Sequence, residues 1–155
     1  MGWWGFGIME GDSPLDMEAI IFDTLKIDQY DQAQQDKIGP ALTEQQEKIF
    51  HMIKNHKKIM AETKCIGHQV LAYLMMKHGS TMKPEVKELL IKSIQKDDWA
   101  KGDDKRKKKI SKLLTAVVGY ENTQIELPQK GLFEVLGEHL KSGKSGLINV
   151  IPKTN

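Results

Sequence analysis

Residues 64–79 read KCIGHQVLAYLMMKHG, and this stretch predicts a helix that ends at a glycine. Its apolar side chains recur every three or four residues, which is the spacing of one helix face. They are Ile66, Val70, Tyr73 and Leu74. Lys77 and His78 suit the negative end of a helix, and glycine commonly follows the last turn. The stretch therefore predicts a helix from about residue 64 to residue 78, with Gly79 after it.

Two more helices are predicted before this stretch. Ser13-Pro14 suits a helix start, because serine caps the first turn and proline fits its first position. The predicted inward positions of this first helix are Leu15, Ala19, Phe22 and Leu25. A capping box of Thr43 and Gln46 predicts the start of the second helix, and residues 28–40 before it form a polar linker or a frayed helix end. Its predicted buried positions are Ile49, Met52, Ile53 and Met60.

The remaining chain predicts three further helices and one strand. Pro84 begins a fourth helix, residues 97–102 interrupt it, and a fifth helix follows Asp103 or Asp104. The fifth helix has its predicted inward side chains at Ile110, Leu113, Leu114, Val117 and Val118. Residues 132–140 predict a sixth helix, and residues 142–155 a tail or short strand. If residues 3–8 are also extended, the two chain ends could pair. The prediction is a mainly α fold, a single compact helical domain of five to six helices over residues 1–155.

Charge and cysteine content narrow the class of protein. There are 23 Lys and Arg against 21 Asp and Glu, so the net charge is only +2. This argues against a dedicated non-specific DNA-binding protein. A single cysteine, Cys65, forms no internal disulfide, which is typical of a cytosolic protein. The opening residues lack the pattern of a signal peptide, and no apolar run reaches the roughly 20 residues of a membrane span. A cytoplasmic protein without a membrane partner is therefore expected.

Residues 1–11, which we name the arm, alternate glycines with large apolar side chains and read MGWWGFGIMEG. One interpretation is that the rings fill the helical core. Another is that the glycines bring backbone N–H groups close to a ligand while the rings stack on its bases. An exposed version would serve as a protein-contact patch.

Residues 105–109 read KRKKK and are the second candidate for ligand contact. Such a run is most often the solvated face of a helix, but it also suits binding of phosphates. Together with the arm it gives a predicted ligand-binding set. The set is Trp3, Trp4, Phe6, Lys105, Arg106 and Lys108.

No catalytic residue, metal site or cofactor is predicted. Residues 142–145 read SGKS, which resembles the end of a phosphate-binding loop, but the first glycine of that loop is misplaced and too few residues follow for the expected second helix. Cys65 and His68 share a helix face, and a buried thiol beside a partly exposed histidine is the favoured interpretation over a zinc or nucleophile site. The pairs at residues 97–98 and 103–104 are predicted to be solvated or capping carboxylates.

The arm resembles the opening of the bacterial domain of unknown function 4259. That family begins Met-Gly-x-Trp-Gly-x-Gly and continues with two aspartates four residues apart. The matching residues are Gly2, Trp4, Gly5, Gly7, Asp12 and Asp16. Pro14 and Met9 depart from the pattern, and the similarity covers about the first 25 residues. The resemblance implies a small, mainly helical cytosolic domain and no activity. In physical terms, Asp12 and Asp16 would accept hydrogen bonds from the glycine-rich backbone and fix the arm to the first helix.

The first functional hypothesis is a non-enzymatic binding protein, of phage or bacterial origin, that blocks a host factor or sequesters a small nucleotide between subunits. The tryptophans would stack on the base and lysines would pair with phosphates. Its partner is a protein or a small nucleotide, nucleic acid is less favoured, and a homo-oligomer is an option. One alternative is a small metal-dependent nucleotide or phosphodiester hydrolase, with Asp97, Asp98, Asp103 and His68 as its candidates. The other is nucleic-acid binding through residues 105–109.

Overall fold

The computed structural model describes residues 3–125 and 127–129, and six α-helices lie in this part of the chain. They are α1 (Asp12–Leu25), α2 (Gln35–Asn55), α3 (Lys64–Lys77), α4 (Pro84–Ile94), α5 (Asp98–Gly102) and α6 (Asp104–Gly119). Short 3-10 turns, Gln32–Gln34 and Ala61–Thr63, precede α2 and α3. The prediction of a mainly α fold is confirmed. The predicted sixth helix at 132–140 and the strand within 142–155 lie outside the described residues.

Helix α3 is the centre of the molecule, since α1, α2, α4 and α6 all contact it. Every residue from 67 to 76 is buried, which is why this helix is apolar on more than one face. A Cβ atom at Gly67 would lie 2.8 Å from Cγ2 of Ile53, so glycine permits the close approach of α2. The predicted end of the helix is confirmed, because Gly79 follows it with a φ of +67°.

The predicted start of the second helix at Thr43 is wrong, because α2 begins at Gln35 and contains Pro40. Gln46 has a different role from the predicted cap, since its side chain is fully buried. Its amide Nε2 donates to the Thr81 carbonyl oxygen at 2.7 Å, and its Oε1 accepts from the Lys83 N–H at 2.9 Å. Gln46 therefore ties α2 to the segment that leads into α4.

Several predicted inward positions are wrong, because neighbouring apolar residues face α3 instead. Helix α1 begins at Asp12, one residue before the predicted cap, and buries Met17 and Ile21. Leu15 is exposed and so is Ala19. Three further residues that were predicted in the core are exposed or only partly buried. Met60 lies beyond the end of α2 and is 63% exposed, Val118 is 62% exposed near the end of α6, and Met52 is half-buried.

The arm folds back on itself and reaches the core at its far end. Trp3 and Gly11 form an isolated antiparallel bridge, and the Trp4 N–H donates to the Glu10 carbonyl oxygen at 2.9 Å. Ile8 is only 1% exposed and belongs to the core. Residues 4–10 form bends and turns, so the extended conformation considered for residues 3–8 is not found. Among the described helices, none has both the length and the apolar character required to span a bilayer.

Candidate binding surface where the arm meets α6

The structure brings the two halves of the predicted ligand-binding set together, although they lie about one hundred residues apart in sequence. Arg106 Nη1 donates to the carbonyl oxygens of Phe6 at 2.9 Å and of Gly7 at 3.2 Å. The Lys105 ammonium lies 5.5 Å from the centre of the Phe6 ring, within cation–π range. The arm and the start of α6 therefore form one continuous surface.

Arg106 itself is a structural residue, because its guanidinium is completely buried beneath this surface. Nε and Nη2 both donate to Asp97 Oδ2, at 3.1 and 2.8 Å, and Nη2 also donates to Gln69 Oε1 at 3.0 Å. With the two arm carbonyls, these contacts use all five N–H groups of the side chain. The prediction that Arg106 faces solvent as part of a basic run is therefore wrong.

Asp97 shares this burial, with 4% of its surface exposed. Burial raises the pKa of its carboxyl, but hydrogen bonds from Gln69 and Arg106 outweigh this effect and hold the pKa below its ordinary value. Its second oxygen accepts from the Ala100 N–H at 2.9 Å, which caps α5. The predicted capping role of Asp97 is confirmed. The alternative, that its carboxylate is solvated, is wrong because the side chain is buried.

Two tryptophan rings enclose the Arg106 guanidinium. Its carbon lies 4.8 Å from the Trp3 ring centre and 4.6 Å from the Trp99 ring centre. The two rings also meet edge-on at 4.9 Å, and Phe6 lies 5.7 Å from Trp99. Trp3, Trp4 and Phe6 are all half-buried. The Arg106 guanidinium therefore occupies one side of the Trp3 ring. This leaves less ring surface for a nucleotide base than the stacking hypothesis requires.

Gln69 and Trp99 were not predicted as members of this cluster, and Arg106 was predicted on the surface. A signal for Arg106 was present, because residues 106, 110, 113 and 117 share one helix face. Ile110, Leu113 and Val117 are all buried, so an arginine in their row is expected beneath the surface. No comparable signal exists for Gln69, which comes from α3.

Lysines occupy the neighbouring side of α6. The basic face, as we name it, consists of Lys105, Lys108, Lys109 and Lys112, which are spaced i, i+3, i+4 and i+7. Lys109 is half-buried and the other three are exposed. None of the ion pairs formed within residues 3–125 and 127–129 includes one of these lysines. Lys109 and Lys112 also border a cleft of about 250 Å³, whose apolar wall includes Ile8 and Leu127.

The hydrolase candidates do not converge. Asp98 pairs with Lys101 at 3.1 Å, and Asp103 caps α6 by accepting from the Lys105 N–H at 2.9 Å. His68 is only 3% exposed, so the prediction of a partly exposed histidine is wrong, while the buried Cys65 thiol is confirmed. In the part of the chain that the structure describes, no group of three or more His, Cys, Asp or Glu side chains is placed to hold a metal ion.

Glu10, rather than Asp12 or Asp16, holds the glycines of the arm. Its Oε1 accepts from the Gly7 N–H at 3.2 Å, and a Cβ atom at Gly7 would lie 2.7 Å from the Glu10 carboxyl carbon. A larger residue at position 7 would therefore displace the Glu10 carboxylate that folds over the arm. Asp12 and Asp16 are exposed on α1.

The arm and α6 thus form a surface with aromatic rings packed on a buried arginine and lysines at its edge. The resemblance of the arm to the bacterial domain of unknown function 4259 stays a prediction. Comparison with protein-family models, with curated proteins and with solved structures gave no match.

Proposed function

We propose that this chain is a non-enzymatic binding protein and that the basic face of α6 contacts the phosphates of a nucleic-acid backbone. One observation carries the proposal. Four lysines share one side of a single helix, and none of them forms an ion pair with a carboxylate of the described residues. Lysine ammonium groups bind phosphate as point charges, and they do so without reading the sequence of the bases.

The dimensions of α6 fit a row of phosphates. Lys105 and Lys112 are seven residues apart, which corresponds to about 10 Å along a helix axis. One strand of duplex DNA carries a phosphate about every 3.4 Å of axis, so the basic face spans about three phosphate intervals, or about four phosphates, of one strand. The net charge of only +2 supplies no strong overall positive field, so such contact would depend on the lysines of the basic face themselves.

The arrangement of the rings favours this version over sequestration of a small nucleotide by stacking tryptophans. Trp3 packs on Arg106, and the Lys105 ammonium lies over Phe6. These contacts give the arm the role of a support that fixes the start of α6. The hypotheses of a host-factor inhibitor and of a small hydrolase stay predictions, and no feature described above favours either of them.

The test is the salt dependence of oligonucleotide binding. For each tenfold rise in salt concentration, the logarithm of the affinity falls by about 0.9 per contacted phosphate for duplex DNA and by about 0.7 per contacted phosphate for single strands. If all four lysines make contacts, duplex affinity falls about 150-fold between 50 and 200 mM salt. The triple variant Lys105→Gln/Lys108→Gln/Lys112→Gln is expected to lose most of this dependence, as measured by fluorescence anisotropy.

The matched control is Lys37→Gln/Lys48→Gln/Lys57→Gln, which removes the same charge from exposed positions in and after α2. This control is expected to retain the wild-type salt slope. Equal losses in the two triple variants would assign the effect to net charge and overturn the proposal, as would an absence of binding at low salt. A mononucleotide that binds as tightly as the oligonucleotide would instead support the small-nucleotide hypothesis.

A further inference from the structure

A second basic cluster surrounds a cleft on a different part of the molecule, between α2, α3 and α4. We name it the lysine cleft, and its volume is about 250 Å³. Four lysines line it together with a single carboxylate, Glu62, so the formal charge of the lining is 4 − 1 = +3. The lysines are Lys54, Lys64, Lys92 and Lys96. They come from three helices and the residues just beyond α4, so the fold, not one run of sequence, gathers them.

Two of these ammonium groups have identified partners. Lys64 Nζ donates to the carbonyl oxygens of Lys54 and His56, the latter at 3.2 Å. Lys92 lies 3.7 Å from Glu88 in a pair that is mostly exposed and therefore weak. Within residues 3–125 and 127–129, Lys54 and Lys96 form no ion pair. The positive charge of the rim is thus largely uncompensated, and like charges gathered in this way repel each other.

The inner wall is neutral, and its two rings are nearly closed to solvent, with Phe50 4% and His68 3% exposed. The His68 ring stacks on Phe50 with 3.9 Å between ring centres and 8° between planes. A carbonyl oxygen only accepts, so His68 Nε2, which lies 3.0 Å from the Phe50 oxygen, carries the proton. Nδ1 then accepts from the Ser93 hydroxyl at 2.5 Å. Burial lowers the His68 pKa to about 4, so the ring is neutral at pH 7.

The N-terminus of α3 adds a further positive end to the cleft. Lys64 and Cys65, the first two residues of α3, line the cleft. No side chain caps this helix, because the Thr63 hydroxyl donates backward to the Met60 carbonyl oxygen at 3.0 Å. The Lys64 N–H donates to the Ala61 carbonyl oxygen, so this end acts on the cleft through the partial positive charge of the helix and not through that N–H group.

We infer that the lysine cleft binds a small organic phosphate, with its phosphate at the lysine rim and its apolar part against Leu89. The volume is slightly below the roughly 300–1,000 Å³ of sites for drug-sized ligands, which selects a compact molecule over a polynucleotide. The cleft is lined by none of the residues of the basic face, so this inference goes beyond the proposed function.

The test uses three probes on the full chain: phenyl phosphate, inorganic phosphate and neutral 2-phenylethanol. Amide shifts in ¹⁵N spectra locate the binding, and titration gives the affinity. Phenyl phosphate is expected to bind more tightly than inorganic phosphate, with shifts at residues 64–68, and 2-phenylethanol is expected not to bind. Lys92→Gln/Lys96→Gln, two exposed positions, is expected to weaken phenyl phosphate binding roughly tenfold, equal to about 1.4 kcal/mol.

The control Lys37→Gln/Lys48→Gln removes the same charge away from the cleft and is expected to retain wild-type affinity for phenyl phosphate. Equal weakening by both double variants, shifts confined to α6, or no binding at millimolar phenyl phosphate would each overturn the inference. Oligonucleotide affinity separates this inference from the proposed function, because Lys92→Gln/Lys96→Gln should change it no more than the control does.

Discussion

At His68 the surroundings determine the protonation of a single side chain. The ring lies between a carbonyl oxygen and a serine hydroxyl, and it stacks on Phe50. A protonated ring would need to donate from both nitrogens inside the core, and burial disfavours its charge. The neutral form is therefore stabilised in the folded state and not in the unfolded chain.

We expect this difference to make stability depend on pH. The folded pKa, about 4, lies below the ordinary 6.5, so the unfolded state binds a proton first as pH falls. The contribution of neutral His68 to the free energy of unfolding is complete above pH 6.5. It is lost as pH falls toward 4, at roughly 1 kcal/mol per pH unit. Denaturant unfolding at several pH values should show this slope in the wild type and a smaller one in His68→Gln. An NMR titration midpoint near 6.5 for His68 would contradict the prediction.

Single residues differed in how far the sequence could place them. Cys65 and His68 were predicted on one helix face because their spacing requires it. The burial of His68 was not predicted, because its partners Ser93 and Phe50 are 25 and 18 residues away in sequence. Spacing within one helix is local information, whereas the partners of a buried polar group depend on how the helices pack.

At the scale of elements, Gly79 controls the end of α3. Its φ of +67° is in the left-handed region, which costs other L-residues roughly 1–2 kcal/mol. A Cβ atom there would meet only ordinary contacts with Gln124, the closest at 3.5 Å, so the backbone conformation determines the cost. Gly79→Ala is therefore expected to lower the free energy of unfolding by about 1 kcal/mol, as measured by urea denaturation.

Gly119→Ala is the matched control, because Gly119 is the last residue of α6 and a Cβ atom there would meet no atom within 4 Å. Alanine favours helix over glycine by up to about 1 kcal/mol, so this variant should be neutral or stabilising. A Gly79→Ala variant as stable as the wild type would show that the turn relaxes without cost.

Helix ends were predictable where one residue type has one main effect. Pro84 begins α4 as expected, since proline at a first helical position loses no hydrogen bond. Pro40 misled the prediction, because it lies inside α2, five residues after the start. Proline in that position is normally a reason to end a helix. Burial of Ile38 and Leu42 on either side of it holds the first turns of α2 in place.

At the scale of the whole molecule, Arg106 joins the arm, α3, the α4–α5 connection and α6. Removing one partner of a buried ion pair leaves an uncompensated charge and costs about 3–5 kcal/mol. We expect a loss of this size for Arg106→Met, measured by chemical denaturation. Arg106→Met/Asp97→Asn should be less destabilised than Arg106→Met, because the asparagine side chain would bury no charge and would keep a capping oxygen.

Lys107→Met is the control, since it makes the same type of change at the adjacent exposed position and should alter stability by at most about 0.5 kcal/mol. If the double variant were less stable than Arg106→Met, the buried charge would not be the cause of the loss.

The mainly helical class of the fold was predictable from the spacing of apolar residues. This four-part junction was not, because it depends on contacts between residues up to 100 positions apart.

The same separation has a consequence for how the protein is made. The ribosome adds about 5–20 residues per second, so Arg106 is synthesised about 5–20 s after Phe6. During that interval Trp3 lacks Arg106, and Phe6 lacks Lys105, the side chains that their rings contact. The arm must therefore dock late in folding, after α6 has emerged, and chaperones that recognise exposed aromatic segments have this interval in which to bind it.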